Sequence, residues 1–216
     1  MVKPLIIINF KTYQQSIGKK GLKLAQICEQ VAKKYKANII ICPQEPDLAL
    51  FSKKFKISIY AQHLDPFEPG KLTGFITPAE AKAEGVKGTL INHSEHPLKL
   101  KDIKILIKLC KKYKLTSVVC IPNLKTLNQV KKLKPDYIAY EPPALIGGKI
   151  SVTQAKPEII KKAVKATKVK ILVGAGVKSH QDLKTALKLK AKGVLVASDI
   201  VKAKNPRKEL TELIGH

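Results

Sequence analysis

Short apolar runs rich in Ile and Val alternate along this chain with longer stretches whose apolar residues recur at helical spacing. The runs fall at 5–9, 38–42, 57–62, 88–92, 117–120, 137–140, 170–173 and 193–196. They do not alternate apolar with polar positions, so they read as parallel strands covered on both faces. Between them, 21–35 places Leu22, Ala25, Cys28 and Ala32 along one helical stripe, and 102–113 does the same with Ile103, Leu106, Leu109 and Cys110. The stretches 156–167 and 180–189 behave alike, and the last stretch, 206–213, starts on a proline. Ser179 followed by Asp182 is a capping-box pattern. Pro157 and Pro206 suit a first helical turn.

Eight strand–helix units with no break in composition predict an α/β chain closed as a (β/α)8 barrel, one domain over residues 1–216. The competing architecture is a doubly wound open sheet, which carries a glycine-rich turn after its first strand. Here that strand ends Asn9-Phe10-Lys11 without a glycine.

Charge changes the picture only in part. Lys plus Arg number 41 against 16 Asp plus Glu, a net +25, which raises nucleic acid as a partner. The lysines recur singly or in pairs along nearly every helical stretch, however, and Arg207 is the one arginine. Aromatic residues make up 5% and do not interleave with the basic pairs, so base stacking has no platform. Nucleic acid is therefore not expected; a solvated lysine surface that concentrates small anions is. The four cysteines form no C-x-x-C pair and are expected as free thiols. No apolar run approaches the roughly 20 residues of a membrane helix, and the first run is too short for a signal peptide, so a cytoplasmic location is expected.

Barrel chemistry sits where strands end at their C-terminal side. Those ends carry Asn9 and Lys11; Asn92-His93-Ser94-Glu95; Tyr140-Glu141-Pro142-Pro143; Gly174-Ala175-Gly176; and Ala197-Ser198. A cation, an imidazole, a carboxylate and exposed backbone amides can bind an anion and move protons, with neither cofactor nor metal required. Each has a plainer reading: Lys11 as one surface lysine among 40, His93 as a core histidine, Glu141 as half of a structural ion pair. His93 and His96 make an H-x-x-H, but no third ligand accompanies them. Gly147-Gly148-Lys149 lacks the spacing of a phosphate loop and reads as the tip of a longer loop.

Taken together, Asn9-Phe10-Lys11, Tyr60-Ala61-Gln62-His63, Asn92-His93-Ser94-Glu95, Tyr140-Glu141-Pro142-Pro143, Gly174-Ala175-Gly176-Val177 and Val194-Leu195-Val196-Ala197-Ser198 resemble, in order, the triosephosphate isomerase family in its short archaeal form. The resemblance spans the chain. It implies an isomerase that interconverts dihydroxyacetone phosphate and glyceraldehyde 3-phosphate in glycolysis and gluconeogenesis. It implies Glu141 as general base, His93 as the group that polarises the carbonyl, Lys11 as the cation facing the substrate oxygens, Asn9 as its positioner and Glu95 as a carboxylate near Lys11. Ser94-Glu95 would begin a helical turn behind His93. Ile146, Gly147, Gly176, Ala197 and Ser198 would meet the phosphate, with residues 142–153 closing as a lid. The loop over 67–76 would reach a neighbouring subunit in a homodimer or homotetramer.

Two positions depart from the family pattern. The lid tip reads Ile146-Gly147-Gly148-Lys149, and Asp199 follows Ser198 where glycine is usual. A carboxylate beside a phosphate is unfavourable unless it points away or pairs with a lysine. The remaining alternatives are another barrel enzyme acting on a phosphorylated substrate, and a catalytically impaired relative with an anion- or nucleic-acid-binding role.

Overall fold

In the computed structural model, which describes residues 3–142, 152–155 and 157–216, every expected apolar run forms a strand. These are β1 (Leu5–Asn9), β2 (Asn38–Cys42), β3 (Ser58–Ala61), β4 (Gly88–Ile91), β5 (Thr116–Ile121), β6 (Tyr137–Tyr140), β7 (Lys170–Val173) and β8 (Gly193–Val196). They close in sequence order into a barrel, with β1 parallel to β2 on one side and to β8 on the other. The open-sheet alternative is excluded.

Two-sided burial explains the unbroken apolar runs. Leu5 and Ile7 point inward and join Ile40, Tyr60, Leu90 and Val118 in the barrel interior. Ile6 and Ile8, the intervening residues of the same strand, point outward into the layer shared with the helices. A strand sandwiched this way has no solvent face on which a polar residue would be favoured.

The helices with an apolar stripe appear where expected: α1 (Gly18–Tyr35), α4 (Leu100–Lys112), α7 (Pro157–Lys165), α8 (His180–Lys188) and α10 (Pro206–Ile214). The Ser179–Asp182 capping box forms in both directions at α8. Five further helices were not signalled by periodicity: α2 (Leu48–Lys54), α3 (Pro78–Ala83), α5 (Leu124–Val130), α6 (Val152–Ala155) and α9 (Ser198–Val201). They span four to seven residues, too few turns for a 3.6-residue repeat to register. Thr77 and Asn123 cap α3 and α5 through their side chains.

The turn expected at Ser94-Glu95 forms, as a single turn that does not extend into a helix: His96 N donates to His93 O at 2.8 Å, and the next helix is α4 at Leu100. Asn92 imposes this geometry. It sits at φ 62°, its amide donates to Cys120 O at 2.9 Å, and its carbonyl oxygen accepts from Leu98 N at 2.9 Å. Asparagine is one of the few residues that adopt this backbone at low cost.

Candidate active site

A cavity opens at the C-terminal ends of β1, β4, β6, β7 and β8. Its lining brings together Asn9, Lys11, His93 and Glu141 with Gly174, Gly176, Ala197 and Ser198. These come from segments scattered between residues 9 and 198; barrel closure alone makes them neighbours.

Lys11 is held at the mouth of β1 in the left-handed region, φ 48°, which costs a lysine roughly 1 kcal/mol or more. Three side chains maintain it. Asn9 Oδ1 accepts from Lys11 N at 3.0 Å, while Gln62 Nε2 and Ser16 Oγ donate to Lys11 O, each at 3.2 Å. Gln62 also donates to Cys42 O at 3.0 Å, tying β1, β2 and β3 together beneath the lysine. The ammonium ends 2.6 Å from Glu95 Oε1. Glu95 is 57% exposed and Lys11 11%, so the carboxylate sits at the rim and the lysine within.

His93 is buried, and burial lowers its pKa, with the Lys11 charge acting in the same direction and Glu95 opposing. The ring is therefore neutral near pH 7. Its Nδ1 accepts from Glu95 N at 3.2 Å, which places the remaining proton on Nε2. Glu95 Oε2 stands 3.6 Å from Nδ1, too far for a hydrogen bond. Burial first and the Lys11 charge second keep the imidazole neutral, and the Glu95 N–H on Nδ1 favours the same form.

Glu141 is 4% exposed. Burial pushes its carboxyl up to about 7, against the lowering effects of the Cys120 thiol, which donates to it, and of Lys11. Oε1 lies 3.9 Å from His93 Nε2, and Oε2 has no hydrogen-bond partner among the described residues. Its backbone is pinned where β6 ends, Glu141 N donating to Ile121 O at 2.9 Å. Behind the carboxyl stands Gly174. A Cβ there would lie 2.4 Å from Glu141 Cγ and 2.8 Å from Cδ and Oε1, so the glycine exists to make room for the carboxyl.

Gly176, at φ 67°, Ala197 and Ser198 also line the cavity. Ile146 and Gly147, with Gly148 and Lys149, lie outside the described residues. His96 stacks on His63, ring centroids 3.7 Å apart. Asp199 does not stand alone beside the wall: Lys178 Nζ is 3.4 Å from Oδ1. All four cysteines are buried. Reasoning from sequence singled out Asn9, Lys11, His93, Glu95 and Glu141. It missed the work of Gln62, Ser16, Cys120 and Gly174, whose parts depend on contacts between strands. For Gln62 the available signals were its place at the end of an apolar run and in the segment Tyr60-Ala61-Gln62-His63.

The arrangement combines a near-neutral carboxyl, a neutral imidazole presenting N–H and an ammonium around a space for a small anion. That set can shift a proton between adjacent carbons while stabilising negative charge on oxygen.

A family model described as triosephosphate isomerase matches residues 4–215. The chain is 46% identical over 215 residues to a protein named triosephosphate isomerase from Methanocaldococcus jannaschii, covering 97% of this chain and 98% of that one. It is 44% identical over 219 residues to the protein of that name from Methanothermus fervidus, covering 99% of each. Against the one from Archaeoglobus fulgidus it is 42% identical over 216 residues, covering 98% of this chain and 97% of that one.

Proposed function

The chain belongs to the triosephosphate isomerase family, and from that premise we propose how the cavity performs the reaction. The protein is an isomerase that interconverts dihydroxyacetone phosphate and glyceraldehyde 3-phosphate. Glu141 is the base. Its carboxylate takes a proton from the carbon next to the carbonyl; the C–H electron pair becomes a C=C bond, and the carbonyl π pair moves onto oxygen. His93 Nε2–H donates to that oxygen as its charge grows. A neutral imidazole suits this role, because it leaves a weaker acid than imidazolium and so matches an enediol oxygen more closely in proton affinity. Lys11 offsets the developing enediolate charge in a site partly shielded from water. Asn9, and Glu95 through its ion pair, hold the lysine. His93 passes its Nε2 proton to that oxygen and regains one from the hydroxyl on the neighbouring carbon; that O–H electron pair forms the new C=O bond, while the C=C pair takes the proton back from Glu141 at the former carbonyl carbon.

The observation that carries this reading is the pairing of Glu141, buried and held near neutrality, with the N–H-bearing nitrogen of His93 3.9 Å away. We place the phosphate against Gly176, Ala197 and Ser198, with Ile146 and Gly147 completing the enclosure. Turnover of glyceraldehyde 3-phosphate tests the assignment. Glu141→Ala should lower kcat by about 10³-fold, within the range for loss of an acid–base group. A variant retaining more than a tenth of wild-type kcat would remove Glu141 from the role.

The whole chain, we infer, acts as one domain in the cytoplasm and associates as a homodimer or homotetramer. Support for association lies in the loop over 67–76, where Phe67, Leu72 and Phe75 are exposed and Phe67 and Phe75 pack edge to face with centroids 4.9 Å apart. Glu68 braces that loop to α4 through Lys112, 2.6 Å away, and the Tyr113 hydroxyl. No described helix is long and apolar enough to cross a membrane. Light scattering at low and high salt decides the oligomer; a monomer at both would overturn it.

A further inference from the structure

Asp199 lines the catalytic cavity beside Ala197 and Ser198, where the substrate phosphate is placed above. A carboxylate there opposes a dianion. Its neighbour Lys178 does not line that cavity. It lines an adjoining depression with Lys202 and Glu209, sharing Ser198 and Asp199 with the cavity, and reaches Asp199 Oδ1 at 3.4 Å. The stem of Lys178 is anchored. Its backbone N–H donates to Asp182 Oδ2 at 3.2 Å, and Asp182, 3% exposed, also accepts from Ser179 N, Ser179 Oγ and Thr153 Oγ1 at 3.1, 2.9 and 2.9 Å. Of the other charges near α9, Lys202 lies over the Tyr13 ring, 5.4 Å from its centroid.

We propose that Asp199 and Lys178 act as a charge-tuning pair that weakens phosphate binding: Asp199 repels the anion at the cavity wall and holds the Lys178 ammonium in the adjoining depression, out of the cavity lining. The consequence suits a chain of net +25. A surface this basic draws anions in from every side, and tight retention of product slows turnover; one negative charge at the wall favours release. Both side chains are partly exposed, 39% for Lys178 and 32% for Asp199, so the effect is moderate and screened by salt.

The proposal rests on the cavity being the phosphate site, and competitive inhibition by inorganic phosphate tests both in order. Wild-type protein that turns over substrate without being inhibited by phosphate overturns the placement of the phosphate and the pair with it. With wild-type inhibition established, Asp199→Asn should lower the inhibition constant and KM together by about three- to tenfold at low ionic strength, as expected for removing a unit charge several ångströms from a dianion near solvent. Lys178→Met should raise both by a smaller factor, and the double variant should bind phosphate more tightly than wild type, though less tightly than Asp199→Asn alone. All shifts should shrink between about 20 and 200 mM salt, while the acid limb of the kcat profile stays in place. Opposite signs are the decisive feature, because local disruption would weaken binding in both single variants. Shifts of the same sign, no shift, or shifts indifferent to salt would overturn the pair.

Discussion

Replacing Gly174 with alanine isolates the placement of the base from its chemistry. A Cβ at this position would stand 2.4 Å from Glu141 Cγ, whereas an ordinary contact begins near 3.4 Å, so the carboxyl must withdraw by about 1 Å. The glycine has no left-handed φ, and alanine adds no backbone strain of that kind; the perturbation falls on Glu141. A misplacement of about 1 Å costs on the order of 10²-fold in rate when the reacting atoms must meet at 3–3.5 Å. Steady-state kinetics with glyceraldehyde 3-phosphate should show kcat reduced by about 10²-fold, with KM changed far less, since Gly174 itself makes no proposed phosphate contact. A second readout follows from burial. The proposed base Glu141 acts when ionised, and burial holds its pKa at about 7, so wild-type activity should fall as pH drops through 7. A carboxyl pushed toward water is more readily ionised, and the acid limb of Gly174→Ala should move to lower pH. Wild-type kcat in this variant would refute the close-packing argument. A lost kcat with an unmoved limb would show that displacement does not expose the carboxyl.

Glu141→Gln should raise stability at pH 8: the folded protein raises this carboxyl from 4.5 to about 7, so the native state binds more protons between those values, and stability present below 4.5 is lost as pH rises through 7. The variant escapes a cost of about 3 kcal/mol, read as a higher unfolding midpoint at pH 8 and little change at pH 4; equal shifts at both would refute the linkage. Lys11→Met should abolish most activity and raise the pKa of His93 toward the ordinary histidine value, because the lysine charge opposes protonation; an NMR titration showing no rise would assign the depression to burial alone. Asp182→Asn, which weakens a buried acceptor of several hydrogen bonds at the start of α8, should cost about 1–3 kcal/mol, measured by denaturant unfolding, and an unchanged midpoint would show the cluster to be dispensable.

The barrel was legible from the chain because burial on both faces leaves a distinctive trace. Ile6 and Ile7 face opposite sides of β1 yet are both buried, so eight unbroken Ile- and Val-rich runs announced eight interior strands without homologues or coordinates. Long helices announced themselves through repeated turns, whereas α9, four residues long, could not. Strand ends then located Asn9, Lys11, His93 and Glu141, since in this architecture chemistry collects there. Tertiary structure decided what those residues are. Nothing local to His93 assigns its proton to Nε2; the turn that brings Glu95 N to Nδ1 does. Glu141 draws its near-neutral pKa from enclosure by other strands, and Lys11 keeps its left-handed backbone through Asn9, Ser16 and Gln62. Sequence specifies which groups reach a strand end through short-range patterning of apolar and polar positions. Protonation, strain and clearance arise from distances of a few ångströms between residues far apart in the chain, and only the closed barrel sets those distances.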